Sequence, residues 1–554
     1  MKQIIHGNLV DIHQQRIFPA TITIEQGVIT QIEESSESYE EYILCGFVDA
    51  HIHIESSMMP PYEFARVALT HGTIGAVTDP HEIANVMGME GIKYMLKSAK
   101  EAPFYFATGV PSCVPATPFE TSGATIGVEQ TQELIQRPEI THLSEVMNIP
   151  AVLNQDEEMM GKMALAKSYH KPIDGHAPLL VGEDLSRYIA SGISTDHEAV
   201  AYAEAKEKIQ KGMKIQIRQG SSAKNFEALY PLIDEYPESC MFCSDDLHPN
   251  DLTQGHINRL VKEAIAKGCN LWNVLRVASL NPKTHYNLPM GTLQVGETAD
   301  FIIVNNLEEF TLLATYVQGS IVAKERQSLL PFCPQPAINN FHATPIKETS
   351  LKVPTQHGKI RVIKAFDGEL ITQEVDEEPT VIGGLVVSDT SRDILKIVVI
   401  DRYHPHSPIS IDFIEGFGLS QGAIASTIAH DSHNIIAVGV SDEAITHAIN
   451  LLIETKGGIA AVYAHHHALL PLEIAGLMSQ QEGWAIARAY ERLDRIAKEQ
   501  MHSPLQAPYM TLSFMALLVI PELKISDKGL FDGHRFTFVS RYQGLQNEES
   551  RVAN

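Results

Sequence analysis

Cysteine is scarce, with six residues in a chain of 554. So thin a supply excludes a disulfide scaffold and points to a reducing compartment. Positive charge is also short: Lys and Arg number 42 against 68 Asp and Glu, a net charge of −26. Such a chain gains little counterion release from a nucleic-acid backbone and is repelled by anionic membranes. Long apolar runs are missing as well. The longest mostly apolar stretch, residues 512–520, falls short of the ~20 residues a bilayer span requires. Residues 1–26 alternate short apolar runs with polar residues and carry no secretory core. These absences predict a cytoplasmic protein with no nucleic-acid and no membrane partner. Neither an internal repeat nor a low-complexity tract is present.

What remains is the composition of a folded, water-soluble chain, 44% hydrophobic and 20% charged. Its length exceeds one ordinary domain, but a (β/α)₈ barrel uses about 250 residues as a single unit. Residues 4–10 and 17–24 read as strands, with turn chemistry at Gly7-Asn8 and at residues 25–27. From residue 43 a different rhythm begins, in which short apolar runs alternate with helical patterns such as 61–70, 85–101 and 253–267. Successive runs end near His53, Asp79, Val110, Glu145, His176, His197, Arg218 and Asp245. Eight strand–helix units predict an α/β fold, a (β/α)₈ TIM-like barrel over residues 46–285. Residues 286–330 return to strand rhythm and are expected to join residues 1–45 in a small β-sandwich-like module. Prolines 331, 334, 336 and 345 mark a linker at residues 325–350. Residues 345–554 form an expected C-terminal α+β domain, with strands at 358–365, 395–400 and 434–440 and helices at 442–455, 470–479 and 482–498.

Chemistry concentrates at the predicted strand ends. His51 and His53 stand two apart, so on a strand their imidazoles share one face. Glu145, His176, His197 and Asp245 end four other strands, and in a barrel all such ends converge on one mouth. Four imidazoles, one bridging carboxylate and one terminal carboxylate would hold two divalent ions with a hydroxide between them. A water bound to such ions loses its proton near neutral pH. Nitrogen and oxygen ligands without thiolate permit manganese, iron or zinc.

The segments GFVDAHIHIESSMMPP, TDPHEIANVMG, LSEVMN, DGHAP and CSDDLHP resemble the amidohydrolase superfamily, and within it the bacterial adenine deaminases. ASLNPK with GTLQVGETADFIIV extends the match, as do GLSQGAIASTIAHDSHNIIAVG and LPLEIAGLMS further on. Most of the superfamily bridges its metals with a carboxylated lysine on the fourth strand; Glu145 takes that place here, which favours the narrower family. The resemblance implies hydrolysis of adenine to hypoxanthine and ammonia in purine salvage, by a homodimer using Mn²⁺ with Fe²⁺ as an alternative occupant. It further implies that Asp245 takes the nucleophile's proton and helps deliver it to the leaving amine.

A purine also needs a proton at its ring nitrogen, and His81 or Glu82 could supply it. A helix start after Asp79-Pro80 is the competing explanation for that pair. Glu55 and Ser56 are expected to orient the paired histidines, and Arg218 to line the pocket. The turn carrying His430, Asp431 and His433 could close over the barrel mouth or bind a further metal, with a satisfied polar turn network as the competing explanation. Cys240 and Cys243 read as buried strand thiols facing different ways, and His465-His466-His467 cannot share one helix face. Two alternatives stand beside this reading: an amidohydrolase acting on another aminopurine or cyclic amide, and a non-catalytic barrel scaffold.

Overall fold

The computed structural model describes residues 2–543. Met1 and residues 544–554, the outer ends of the expected 1–45 and 345–554 segments, lie outside the described residues. Eight short strands form the barrel: β1 (Phe47–Ile52), β2 (Thr73–Thr78), β3 (Tyr105–Val110), β4 (Ile140–Val146), β5 (Ile173–Gly175), β6 (Thr195–Asp196), β7 (Lys214–Arg218) and β8 (Cys240–Cys243). Almost every residue in them is buried, as expected of parallel strands covered on both faces. β1 to β5 pair in parallel order, and so do β6 to β8. Two seams join these halves. Ser194 N donates to Ile173 O at 2.9 Å between β5 and β6. Asp245 N donates to His51 O at 2.9 Å, and His53 N to Asp245 O at 3.2 Å, closing β8 onto β1.

The connecting helices follow the expected rhythm, with two differences. The helix expected at 85–101 begins earlier, at His81, and reaches Lys100 across a break at Gly88, whose φ is 56°. Pro80 precedes its first turn, where a missing N–H costs nothing. The helix expected at 253–267 is divided into Pro249–Gln254 and Ile257–Ala266. Between them the chain extends at Gly255 and His256, whose Nε2 lies 2.7 Å from buried Asp49.

The first strands and the strands after the barrel form one eight-stranded sheet, in the order 327–328, 320–324, 312–317, 301–304, 42–44, 2–11, 16–25, 28–34. Gly7-Asn8 is not a turn but lies inside the strand Lys2–Asp11, opposite Ala20 and Pro19. A Cβ at Gly7 would stand 2.9 Å from the Ile43 side chain, so glycine serves close packing there. The expected turn at 25–27 is present, with φ of 52° at Gln26 and 80° at Gly27.

A second eight-stranded sheet organises the C-terminal part, with strands 373–377, 360–364, 409–415, 395–400, 435–439, 423–426, 458–463 and 466–471 in that order. Asp442–Thr455 is the expected helix, its first turn capped by the Ser441 side chain. Residues 470–479 are not helical. Leu470, Leu472 and Ile474 are buried at every second position, the period of extended chain, and His466–Pro471 is a strand. The chain then turns through left-handed Ala475 and Gly476. Barrel residues such as Val48, Ile52 and Met59 share one apolar cluster with Ile397, Leu470 and Met478. Gly483 N also donates to Glu63 at 2.7 Å, and Asn434 to Thr121 O at 2.9 Å.

Candidate metal centre at the barrel mouth

The end of β1 places His51 and His53 on one face. His53 Nδ1 donates to the Asp79 carbonyl at 3.0 Å, which turns Nε2 into the mouth. There Nε2 lies 3.2 Å from Asp245 Oδ1 and 3.4 Å from Glu145 Oε1. His51 Nε2 is 3.5 Å from the same Asp245 oxygen. Asp245 has a left-handed backbone (φ 57°), held by its two backbone bonds to β1.

Glu145, near the end of β4, divides its two oxygens between neighbours. Oε1 faces His53 and also His81 Nδ1 at 3.4 Å. Oε2 faces His176 Nδ1 at 2.8 Å and His197 Nε2 at 3.3 Å. The His51 and His197 rings stack 4.1 Å apart. Buried Tyr188 ties the ends of β4 and β5 together, donating to Val146 O at 2.6 Å and accepting from His176 N at 3.2 Å.

Burial alone would raise the Glu145 carboxyl, but hydrogen bonds from His176, His197 and His53 outweigh it and hold the group well below the usual range. Asp245 behaves alike: burial opposes ionisation, while Arg218, His51 and His53 win. Burial likewise works against a proton on His176, yet the Glu198 and Glu145 carboxylates lift it to about 9.

The donors fit divalent cations. Ligand atoms of His51, His53 and Asp245 lie within 4.8 Å of one another, as do those of His51, Glu145 and His197. Buried His51 Nε2 has no hydrogen-bond partner among the described residues. Imidazole and carboxylate without thiolate suit manganese, iron or zinc.

The C-terminal sheet completes the mouth. Glu82, in the first turn after β2, lies 2.8 Å from His430 Nδ1 and also contacts His433 Nε2. His81 Nε2 is 3.5 Å from Glu82 and 4.0 Å from Asp431. Burial disfavours charge on His430, but Glu82 lifts it to about 9; burial prevails at His433 and pushes it down to about 4. Asp431 is raised, chiefly by burial. The His430 ring stacks on Phe514 at 5.2 Å.

Three expected contacts differ. Glu55 does not touch the paired histidines; its Oε1 accepts from Ile83 N at 3.1 Å and so anchors the helix that carries Glu82. The Ser56 hydroxyl donates to Asp246 at 2.5 Å, while its backbone N donates to His53 O at 3.1 Å and leaves the imidazole untouched. Arg218 pairs with protein carboxylates, Asp245 at 2.6 Å and Glu198, rather than with open pocket. Glu198 itself was not singled out by sequence. It follows His197 directly, but nothing in its spacing announces an arginine partner twenty residues away. Cys240 and Cys243 are buried in separate apolar clusters, and His465, His466 and His467 are exposed.

A parallel barrel with such donors at its C-terminal strand ends defines a metal-dependent hydrolase of the amidohydrolase class, and the amidohydrolase family model matches residues 42–322. The model for the adenine deaminase C-terminal domain matches residues 369–537. The adenine deaminase of Sulfurovum sp. is 52% identical over 533 residues, covering 96% of this chain and 98% of that protein. Those of Methanosarcina barkeri (50% over 551 residues, 98% and 100% covered) and Salinibacter ruber (48% over 539, 97% and 98%) are similar to it across the same span. The chain belongs to the adenine deaminase family.

Proposed function

We propose that this enzyme hydrolyses adenine to hypoxanthine and ammonia at a two-metal centre in the barrel mouth. The observation that carries the metal reading is the division of Glu145, with one oxygen toward His53 and the other toward His176 and His197. His51, His53 and Asp245 would hold one ion, His176 and His197 the other, with Glu145 shared. Divalent ions there would supply a water acidified to near neutrality as the nucleophile.

The side chains of the mouth handle the protons. Asp245 Oδ1 faces the histidines while Oδ2 is held by Arg218, so Oδ1 is the oxygen turned to the mouth, where it accepts a proton from the attacking water. The same carboxyl then passes it to the departing amine. The Glu82–His430 pair, 2.8 Å apart, shares a proton that can move to a ring nitrogen as C6 becomes tetrahedral. His81, 3.5 Å from Glu82, offers a second route. Mn²⁺ is the proposed activating ion, with Fe²⁺ as the alternative. The reading extends to a cytoplasmic homodimer in purine salvage. Six free cysteines support a reducing compartment, and among the described residues no helix is long and apolar enough to cross a membrane.

The test is ammonia release from adenine, adenosine, guanine and cytosine by metal-loaded protein. Adenine alone is expected to react; deamination of adenosine but not adenine overturns the assignment. In Asp245→Asn, metal content and adenine affinity are expected to persist while turnover collapses, and near-normal turnover would remove Asp245 from its role.

A further inference from the structure

The strand pairing of the barrel thins between β5 and β6, which fall in separate sheets, are only three and two residues long and are joined by the Ser194 N–Ile173 O bond. His176 follows β5 and His197 follows β6, so the two donors facing Glu145 Oε2 emerge where the ladder is weakest. A buried charged knot stands in that gap. Lys208, on the helix Tyr202–Gln210, has no exposed surface. Its Nζ donates to Ala177 O at 2.6 Å, Glu204 Oε1 at 2.7 Å and Asp196 Oδ2 at 2.9 Å.

The two carboxylates spread the grip to both loops. Asp196 accepts from Ala177 N at 2.8 Å and Ala199 N at 3.0 Å. Glu204 accepts from Leu179 N at 2.8 Å and Val200 N at 3.2 Å. Each loop is thus held at two backbone amides immediately beyond its histidine, and the carbonyl after His176 is held as well. The hydrogen bonds of Lys208, Asp196 and Glu204 run to backbone and to one another, not to Glu145 or Asp245.

We infer that Lys208 is a positioning residue that sets the affinity of one of the two metal sites, the one built from His176 and His197. Outer groups that orient metal ligands typically govern affinity by 10–100-fold. Removing Lys208 leaves Asp196 and Glu204 as two buried carboxylates without their shared cation, which loosens the grip they keep on both loops, while His51, His53 and Asp245 remain pinned by the β8–β1 backbone bonds. The inference rests on the two-metal reading proposed above.

The experiment is calorimetric titration of Mn²⁺ into metal-stripped full-length protein, paired with metal content after dialysis and with thermal unfolding. Wild type is expected to bind two ions. Lys208→Met is expected to keep one site unchanged and weaken the other by about 10–100-fold. The charge-balanced pair Lys208→Met with Glu204→Gln, which leaves less uncompensated charge inside, is expected to do the same and serves if the single variant does not fold. A purely structural role would lower the unfolding temperature without separating the sites. Folded variants that bind both ions as wild type does, or lose both equally, overturn the inference. A wild-type chain that binds a single ion overturns the two-metal reading, and this inference with it.

Discussion

Arg218 Nη1 lies 2.6 Å from Asp245 Oδ2, and this contact decides which oxygen of Asp245 meets the histidines. Oδ1 is left 3.2 Å from His53 Nε2 and 3.5 Å from His51 Nε2. Arg218→Gln removes a planar cation wedged between Asp245 and Glu198 and leaves a buried and a half-buried carboxylate to repel each other. Turnover is expected to fall about 10–100-fold, the usual cost of losing a group that orients a metal ligand. Steady-state kinetics on adenine check this; unchanged kcat would mean that Asp245 needs no such restraint.

Glu82 belongs to the barrel, but its partners His430 and His433 belong to the turn between strands 423–426 and 435–439 of the C-terminal sheet. Glu82→Gln preserves shape and removes the proton-carrying carboxylate. It is expected to retain its metal while kcat drops by about 10²–10⁴, the usual worth of general acid–base catalysis. Equal loss of metal and activity would instead assign Glu82 a ligand role.

Glu145→Gln keeps the side-chain volume but replaces two anionic oxygens with a neutral amide. Two groups of histidines then lose their shared carboxylate, and metal content is expected to fall below two ions per chain. Metal analysis of the purified variant reads this directly. Full occupancy would contradict the bridging role.

Stability carries its own pH signature, at a lysine outside the metal-ligand set. Burial pushes the Lys524 ammonium down to about 7, although its Nζ donates to Leu370 O at 2.6 Å and Phe514 O at 3.1 Å. Unfolded lysine titrates near 10.4, so between about pH 7 and pH 10 the unfolded chain binds more protons and stability rises with pH. One proton contributes at most about 1.4 kcal/mol per pH unit. The unfolding temperature of wild type minus that of Lys524→Met is therefore expected to grow between about pH 7 and pH 9. A pH-independent difference would show that Lys524 stays charged in the folded protein.

The strand ends were legible because alternation and burial leave a period-two imprint, which is why His51 and His53 could be placed on one face before any fold was known. Convergence of Glu145, His176, His197 and Asp245 followed from barrel geometry alone. Contacts that join distant elements left no local imprint. Glu82 meets His433 across 351 residues of chain, and the grip of Arg218 on Asp245 has no periodicity to betray it. Glu55 and Ser56 were expected at the histidines because they are neighbours in sequence; the turn after β1 carries them to Ile83 and Asp246 instead. The run at 470–479 failed for the opposite reason, since an apolar stretch with proline and glycine does not declare its period until its partner strand is known.

The most direct measurement is a titration of Mn²⁺ into chelator-stripped enzyme while ammonia release from adenine is followed. The account predicts no turnover without metal and a rise that saturates at two ions per chain. Full activity after exhaustive chelation, or saturation at a single ion, would contradict it.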